Sequence, residues 1–172
     1  MKTQVATAVA VLALLGGAAF AQKNTANRLV GTDSSFITKA AQGGMAEVEL
    51  GKLATERASN SAVKDFGQRM VTDHTKANEQ LKTVAANKGV NLPEGLDAKD
   101  QATLNRLSKL NGAAFDRAYI DDMVKDHKAD VAEFQKEADR GDDADIKAFA
   151  SKTLPTLQDH LRMAEDTQKQ VK

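Results

Sequence analysis

The chain has no cysteine and no tryptophan, and only one tyrosine and two prolines in 172 residues. Without cysteine no disulfide can brace the fold and no lipid can be joined to an N-terminal thiol. Net charge is also missing, with 24 basic residues against 24 acidic ones. That excludes the concentrated basic surface that nucleic acid requires, and it leaves no polybasic patch for an anionic lipid surface. Aromatics make up 4% of the chain, so a core has to be built from Leu, Val, Met, Phe and abundant alanine. Such small side chains suit closely packed helices. A run long enough to span a bilayer is absent too. Val5 to Leu15 is apolar but too short, and it sits between Lys2 and the small-x-small triplet Ala19-Phe20-Ala21. This pattern predicts a secretory signal over residues 1–21, cleaved before Gln22, with no membrane span in the processed chain. A bacterial periplasm fits an exported chain without cysteine. Residues 22–172 carry a net charge of about −1 and are enough for one domain with a real core.

What is present is helical periodicity. Residues 22–32 are polar and aperiodic and read as a flexible leader. The bundle domain is expected over 33–172. A first long helix is expected from Asp33 or Ser34, both good capping residues, to about Ser59. Ser59-Asn60-Ser61 is a turn short enough to force an antiparallel partner, expected over Ala62 to Lys88 and stopped by Gly89. Asn91-Leu92-Pro93-Glu94-Gly95 breaks the pattern. A short helix follows from Ala98 to about Leu110, with Leu104, Leu107 and Leu110 on one face. Long helices are then expected over about Ala113–Asp139 and from Ala144 almost to the C-terminus, with Gly141-Asp142-Asp143 between them. Pro155 falls inside the last and should kink it or remove a hydrogen bond. Helices of this size span roughly 35–40 Å. The connection from Gly89 to Gly112 is long enough to travel that distance. The expected fold is all-α: a ferritin-like antiparallel four-helix bundle whose long crossover carries a short helix. A plain up-down bundle with an excursion loop is the alternative.

Four polar residues interrupt the apolar stripes of the four long helices: Glu47, His74, His127 and His160. At about 100° per residue Glu47 falls with Phe36, Ala40, Leu50 and Ala54, and His74 with Phe66, Met70 and Leu81. His127 falls with Ile120, Met123, Val131 and Phe134, and His160 with Phe149, Leu157 and Ala164. These are all the histidines in the chain. In one bundle the four side chains would point inward together. Glu47 and His74 are nearly equidistant from Asn60, whereas His127 is about one turn closer to Gly141 than His160 is. Three imidazoles and a carboxylate in a core make either a transition-metal site, for zinc, copper or iron, or a buried hydrogen-bonded network. Met70 and Met123, one turn before two of the histidines, and Asp73, at the edge of its stripe, are the possible outer contributors. Core packing is the ordinary role of such methionines. Asp126 and Asp159, turned about 100° from the neighbouring histidines, are expected to face solvent. Tyr119 is expected to pack.

At these residues the chain resembles a bacterial secreted ferritin-like family, domain of unknown function 4142. The likeness is carried by Phe36, Ala40-Ala41-x-Gly43, Glu47-Val48-x-Leu50-Gly51, Met70-Val71-x-Asp73-His74, Leu92-Pro93, Phe115-Asp116, Met123-Val124-x-Asp126-His127, Leu154-Pro155 and His160-Leu161. It runs from about Ser34 to Ala164. It implies an exported helical bundle and no established activity, so no catalytic residue is transferred. Many ferritin-like proteins hold two metals with Glu-x-x-His motifs. Here Val71, Val124 and Leu157 stand three residues before the histidines, so carboxylate-rich di-iron oxidase chemistry is unsupported. No nucleophile triad or phosphate loop is visible. The chain reads either as a metal-binding bundle, in metal handling or in a structural role, or as a metal-free envelope or stress-related bundle acting through its surface. A monomer or small homo-oligomer is expected.

Overall fold

A computed structural model describes residues 31–172. The expected signal, and the leader up to residue 30, lie outside the described residues. Five helices account for the regular structure: α1 (Thr32–Arg57), α2 (Ser61–Asn87), α3 (Ala98–Leu107), α4 (Gly112–Arg140) and α5 (Ala144–Gln170). Thr32, assigned to the leader by its polarity, already belongs to α1.

Local chemistry sets most of the boundaries. Asn60 caps α2 by accepting from Ala62 N–H at 2.8 Å, and Asp97 caps α3 by accepting from Asp100 N–H at 2.8 Å. Asp143 caps α5 by accepting from Asp145 N–H and Ile146 N–H. After α2, Gly89 takes φ 66°, a left-handed conformation that glycine adopts without strain. Helix α5 continues through Pro155. Asp33 departs from expectation. It does not cap α1, whose first flanking residue is Gly31 and has no side-chain cap. The Asp33 carboxylate, 1% exposed, accepts instead from Asp142 N–H and Asp143 N–H in the α4–α5 turn. Asp116 near the start of α4 does the same for the α1–α2 turn. It accepts from Ser59 N–H, Ser59 Oγ–H and Asn60 N–H. Each hairpin's turn is therefore tied down by a buried carboxylate from the other hairpin.

The hydrophobic clusters give the topology. One gathers the C-terminal half of α1 (Leu50, Ala54), the starts of α2 (Val63, Phe66, Met70) and α4 (Phe115, Tyr119, Ile120), and Ala164 near the end of α5. The other gathers the start of α1 (Phe36, Ile37), the ends of α2 (Leu81, Ala85) and α4 (Phe134), and the start of α5 (Ile146, Phe149). So α2 and α4 begin at the same end of the bundle and run in parallel. The crossover from residue 88 to 111 carries the chain back along its length. This is the ferritin-like arrangement, not a plain up-down bundle. Around the bundle α1 packs on α2, α2 on α5, α5 on α4 and α4 on α1, while α3 leans on α1 and α4. The α1–α2 contact is close because Gly51 and Gly67 face each other. A Cβ on Gly67 would lie 2.8 Å from the Gly51 carbonyl oxygen. Between the two clusters, halfway along the bundle, lies the layer of polar residues.

Candidate metal centre

Each long helix contributes one side chain to that layer, and all four are buried: Glu47, His74, His127 and His160 are 3%, 6%, 0% and 1% exposed. One ring nitrogen from each histidine lies within 4.8 Å of those of the other two. The ring centroids are 5.4 Å apart for His74–His160 and His127–His160, and 5.9 Å for His74–His127. The mismatch in level between His127 and His160 does not keep the rings apart. Glu47 stands beside this cluster, with Oε1 3.8 Å from His127 Nδ1, too long for a hydrogen bond.

For His127 and His160 a hydrogen bond fixes which nitrogen carries the lone pair. The His127 Nδ1–H donates to the Met123 carbonyl at 3.0 Å. A carbonyl only accepts, so Nδ1 holds the proton and Nε2 the lone pair. The His160 Nε2–H donates to the Asp73 carboxylate at 2.9 Å, which leaves the lone pair on Nδ1. Arg69, one turn away on α2, donates to the same Asp73 oxygen. Burial alone would push the Asp73 carboxyl up, but the hydrogen bonds from His160 and Arg69 outweigh it and hold the group below its ordinary value. The nitrogens left buried with no hydrogen-bond partner are His74 Nε2, His127 Nε2 and His160 Nδ1.

Electrostatics keep this set uncharged. Burial first, then the neighbouring His127 and His160, push His74 well below its ordinary value. Burial is also the main cause that lowers His127 and His160, partly opposed by Asp130 for the former and by Asp73 for the latter. Glu47 moves the other way. Burial, reinforced by Asp126 and Asp100, pushes its carboxyl up to about 8. Its Oε2 is also buried without a partner. Three neutral imidazoles and a protonated carboxyl are the form in which such a layer tolerates burial.

Glu47 thus carries a proton in the folded chain that an unfolded chain releases near 4.5. Its contribution to stability is complete below that pH and is lost as pH rises through about 8. Glu47→Gln, which cannot ionise, should match the metal-free protein in urea unfolding at pH 4.5 and exceed it at pH 8.5. Equal stability of the two proteins at both pH values would show that Glu47 is not held protonated.

Of the outer residues, Asp73 touches the cluster directly and fixes one imidazole. Met70 and Met123 are fully buried beside it in the first hydrophobic cluster. Asp159 is exposed, as expected, and pairs with Arg162. Asp126 is half-buried, with Oδ1 3.7 Å from Lys99 Nζ on α3. Tyr119 is fully buried and stacks on Phe115 at 5.5 Å, and its hydroxyl finds no partner. Sequence periodicity missed Asp130 of α4, whose carboxyl is pushed up to about 7 by burial and then by Glu47. It stands three residues after His127 and four before Phe134, at the edge of the α4 stripe.

Over residues 18–167 the chain matches the family described as domain of unknown function 4142. It belongs to that family. Its fold is shared by solved structures of another family, domain of unknown function 305. The Deinococcus radiodurans fragment superposes with a TM-score of 0.72 at 15% identity, covering 83% of this chain and 98% of its own. A candidate secreted protein of Streptomyces coelicolor gives a TM-score of 0.68 at 13% identity, over 82% of this chain and 94% of its own. At these identities the likeness is one of fold alone. No curated protein matches the chain. No helix among the described residues is long and apolar enough to cross a membrane.

Proposed function

We propose that this member of the domain of unknown function 4142 family is an exported bundle that binds one transition-metal ion between its four long helices. The observation that carries the reading is the convergence of three buried imidazoles, each with a ring nitrogen that bonds to nothing. A metal-free polar network predicts the opposite, because buried nitrogens cost free energy unless they are paired. Three neutral imidazoles suit zinc, copper or iron(II) and not the oxygen-loving magnesium or calcium. A tetrahedral shell with Zn–N bonds near 2 Å needs nitrogens roughly 3.3–3.5 Å apart. The three ring nitrogens, within 4.8 Å of one another, would close up to that spacing around an ion. Asp73 supports His160 from outside, as carboxylates commonly support metal-bound histidine. Glu47, or a water molecule, would fill the fourth position. The signal pattern over residues 1–21 supports a periplasmic location, and the candidate secreted protein of Streptomyces coelicolor with the same fold is in keeping with export.

The test is metal content. Protein without a histidine tag, recovered from a periplasmic extract with a mass that begins at Gln22, should carry or take up one zinc, copper or iron ion per chain. A His74→Ala/His127→Ala double variant should carry none. Protein that stays metal-free when offered all three ions would overturn the reading.

A further inference from the structure

A closed centre needs a way in. One cavity, of about 280 Å³, reaches it, with Glu47 and His74 among its lining residues. A single water needs only roughly 10–15 Å³ of such space, so the cavity admits an ion with waters attached. Its walls come from all four long helices and the crossover helix α3. Small residues of α1 keep the α1 wall open, and a Cβ on Gly43 would meet nothing within 4 Å. Apart from Glu47 the lining carries five carboxylates against two lysines. Both lysines are engaged, Lys39 with Glu133 at 3.0 Å and Lys99 with Asp126 at 3.7 Å. Asp100 and Asp130 make no ion pair among the described residues. Inward of them is Glu47, 3% exposed, with Oε2 unpartnered.

We propose that this cavity is the access channel of the histidine centre, and that Asp100 and Asp130 draw a hydrated divalent cation through it to Glu47. The inference rests on the metal-binding reading above. A negatively lined cleft between low-dielectric walls concentrates cations and speeds their capture by 10-fold to roughly 10³-fold. Asp130, one turn from His127, also favours the charged form of that imidazole, whereas Asp100 on α3 acts on none of the three histidines, so its effect falls on the association rate and not on the bound state. The arrangement also gives the long crossover a function. It lays α3, with Asp100 and Lys99, across the opening between α1 and α4.

Stopped-flow mixing of metal-free protein with Co²⁺, followed by the visible absorbance of the bound ion, separates the outcomes. The wild type should bind one Co²⁺ per chain at a rate that falls as salt is added. An Asp100→Asn variant should bind one ion severalfold more slowly, with a weaker salt dependence and an unchanged dissociation rate. Lys99→Gln, an exposed change, should speed uptake. Equal association rates in the wild type and the Asp100→Asn variant, with one ion bound in each, would overturn the channel and leave the centre standing. A variant that differs only in faster dissociation would overturn it as well, since the carboxylate would then hold the ion. No Co²⁺ bound by the wild type would overturn both the channel and the centre.

Discussion

Saturating metal is expected to raise the melting temperature of the metal-free protein by about 10 °C, and His127→Ala is expected to abolish the rise. The magnitude follows from linkage. A ligand at 100 times its dissociation constant stabilises the folded state by about 2.7 kcal/mol, and for a domain of this size each kcal/mol shifts melting by about 4 °C. His127 is the decisive position because its Nδ1 is committed to the Met123 carbonyl, so its one lone pair is the unpartnered Nε2. The pH dependence has a definite sign. Protons compete with metal for neutral imidazole, and burial holds all three histidines below the ordinary 6.5. The rise should therefore persist at pH 6.5 and shrink as pH falls further. A polar network without metal would behave differently. Zn²⁺, Cu²⁺ and Fe²⁺ would leave melting unchanged, and His127→Ala would destabilise the metal-free protein by about 1–3 kcal/mol through the partners it strands. Calorimetry on the two proteins, with and without each ion, tells these apart.

The layer behind that prediction was legible as periodicity. A histidine on an apolar stripe can be placed from a single helix, because the 3.6-residue repeat alone says which way it points. The direction of the crossover was legible as length. Features that need two helices at once were not. Asp33 has the sequence of a helix cap, yet it bonds the α4–α5 turn, a partner 109 and 110 residues away. Asp116 reads as one more polar residue of an amphipathic helix until the α1–α2 turn is set against it. Asp73 lies about 100° from His74, off the centre of its stripe, and gains its role from His160 on another helix. Glu47 sits on its stripe as expected, but side-chain direction places it beside His127 and outside the group of three. The channel carboxylates come from α3 and α4, and only the path of the crossover brings them to one opening.

Two core truncations of similar cost should have different consequences for the centre. Phe66 is 1% exposed, and its ring meets His127 edge-on at 6.0 Å and Tyr119 at 6.1 Å. Ile146 is 0% exposed in the second cluster, near the start of α5. Phe66→Ala should lose about 3–5 kcal/mol and Ile146→Ala about 2–5 kcal/mol, since each leaves a cavity in a closely packed region. Losses of this size leave a typical domain folded at low temperature. Only Phe66→Ala removes the surface against which the His127 ring is held. Metal affinity measured at 10 °C should fall about tenfold in that variant, or about 1.4 kcal/mol, and should be unchanged in Ile146→Ala. Equal weakening in both would mean that affinity follows global stability and that the ring is not positioned by its neighbour. Unchanged affinity in both would mean that the Met123 hydrogen bond alone orients His127, and that the aromatic packing beneath it serves stability only.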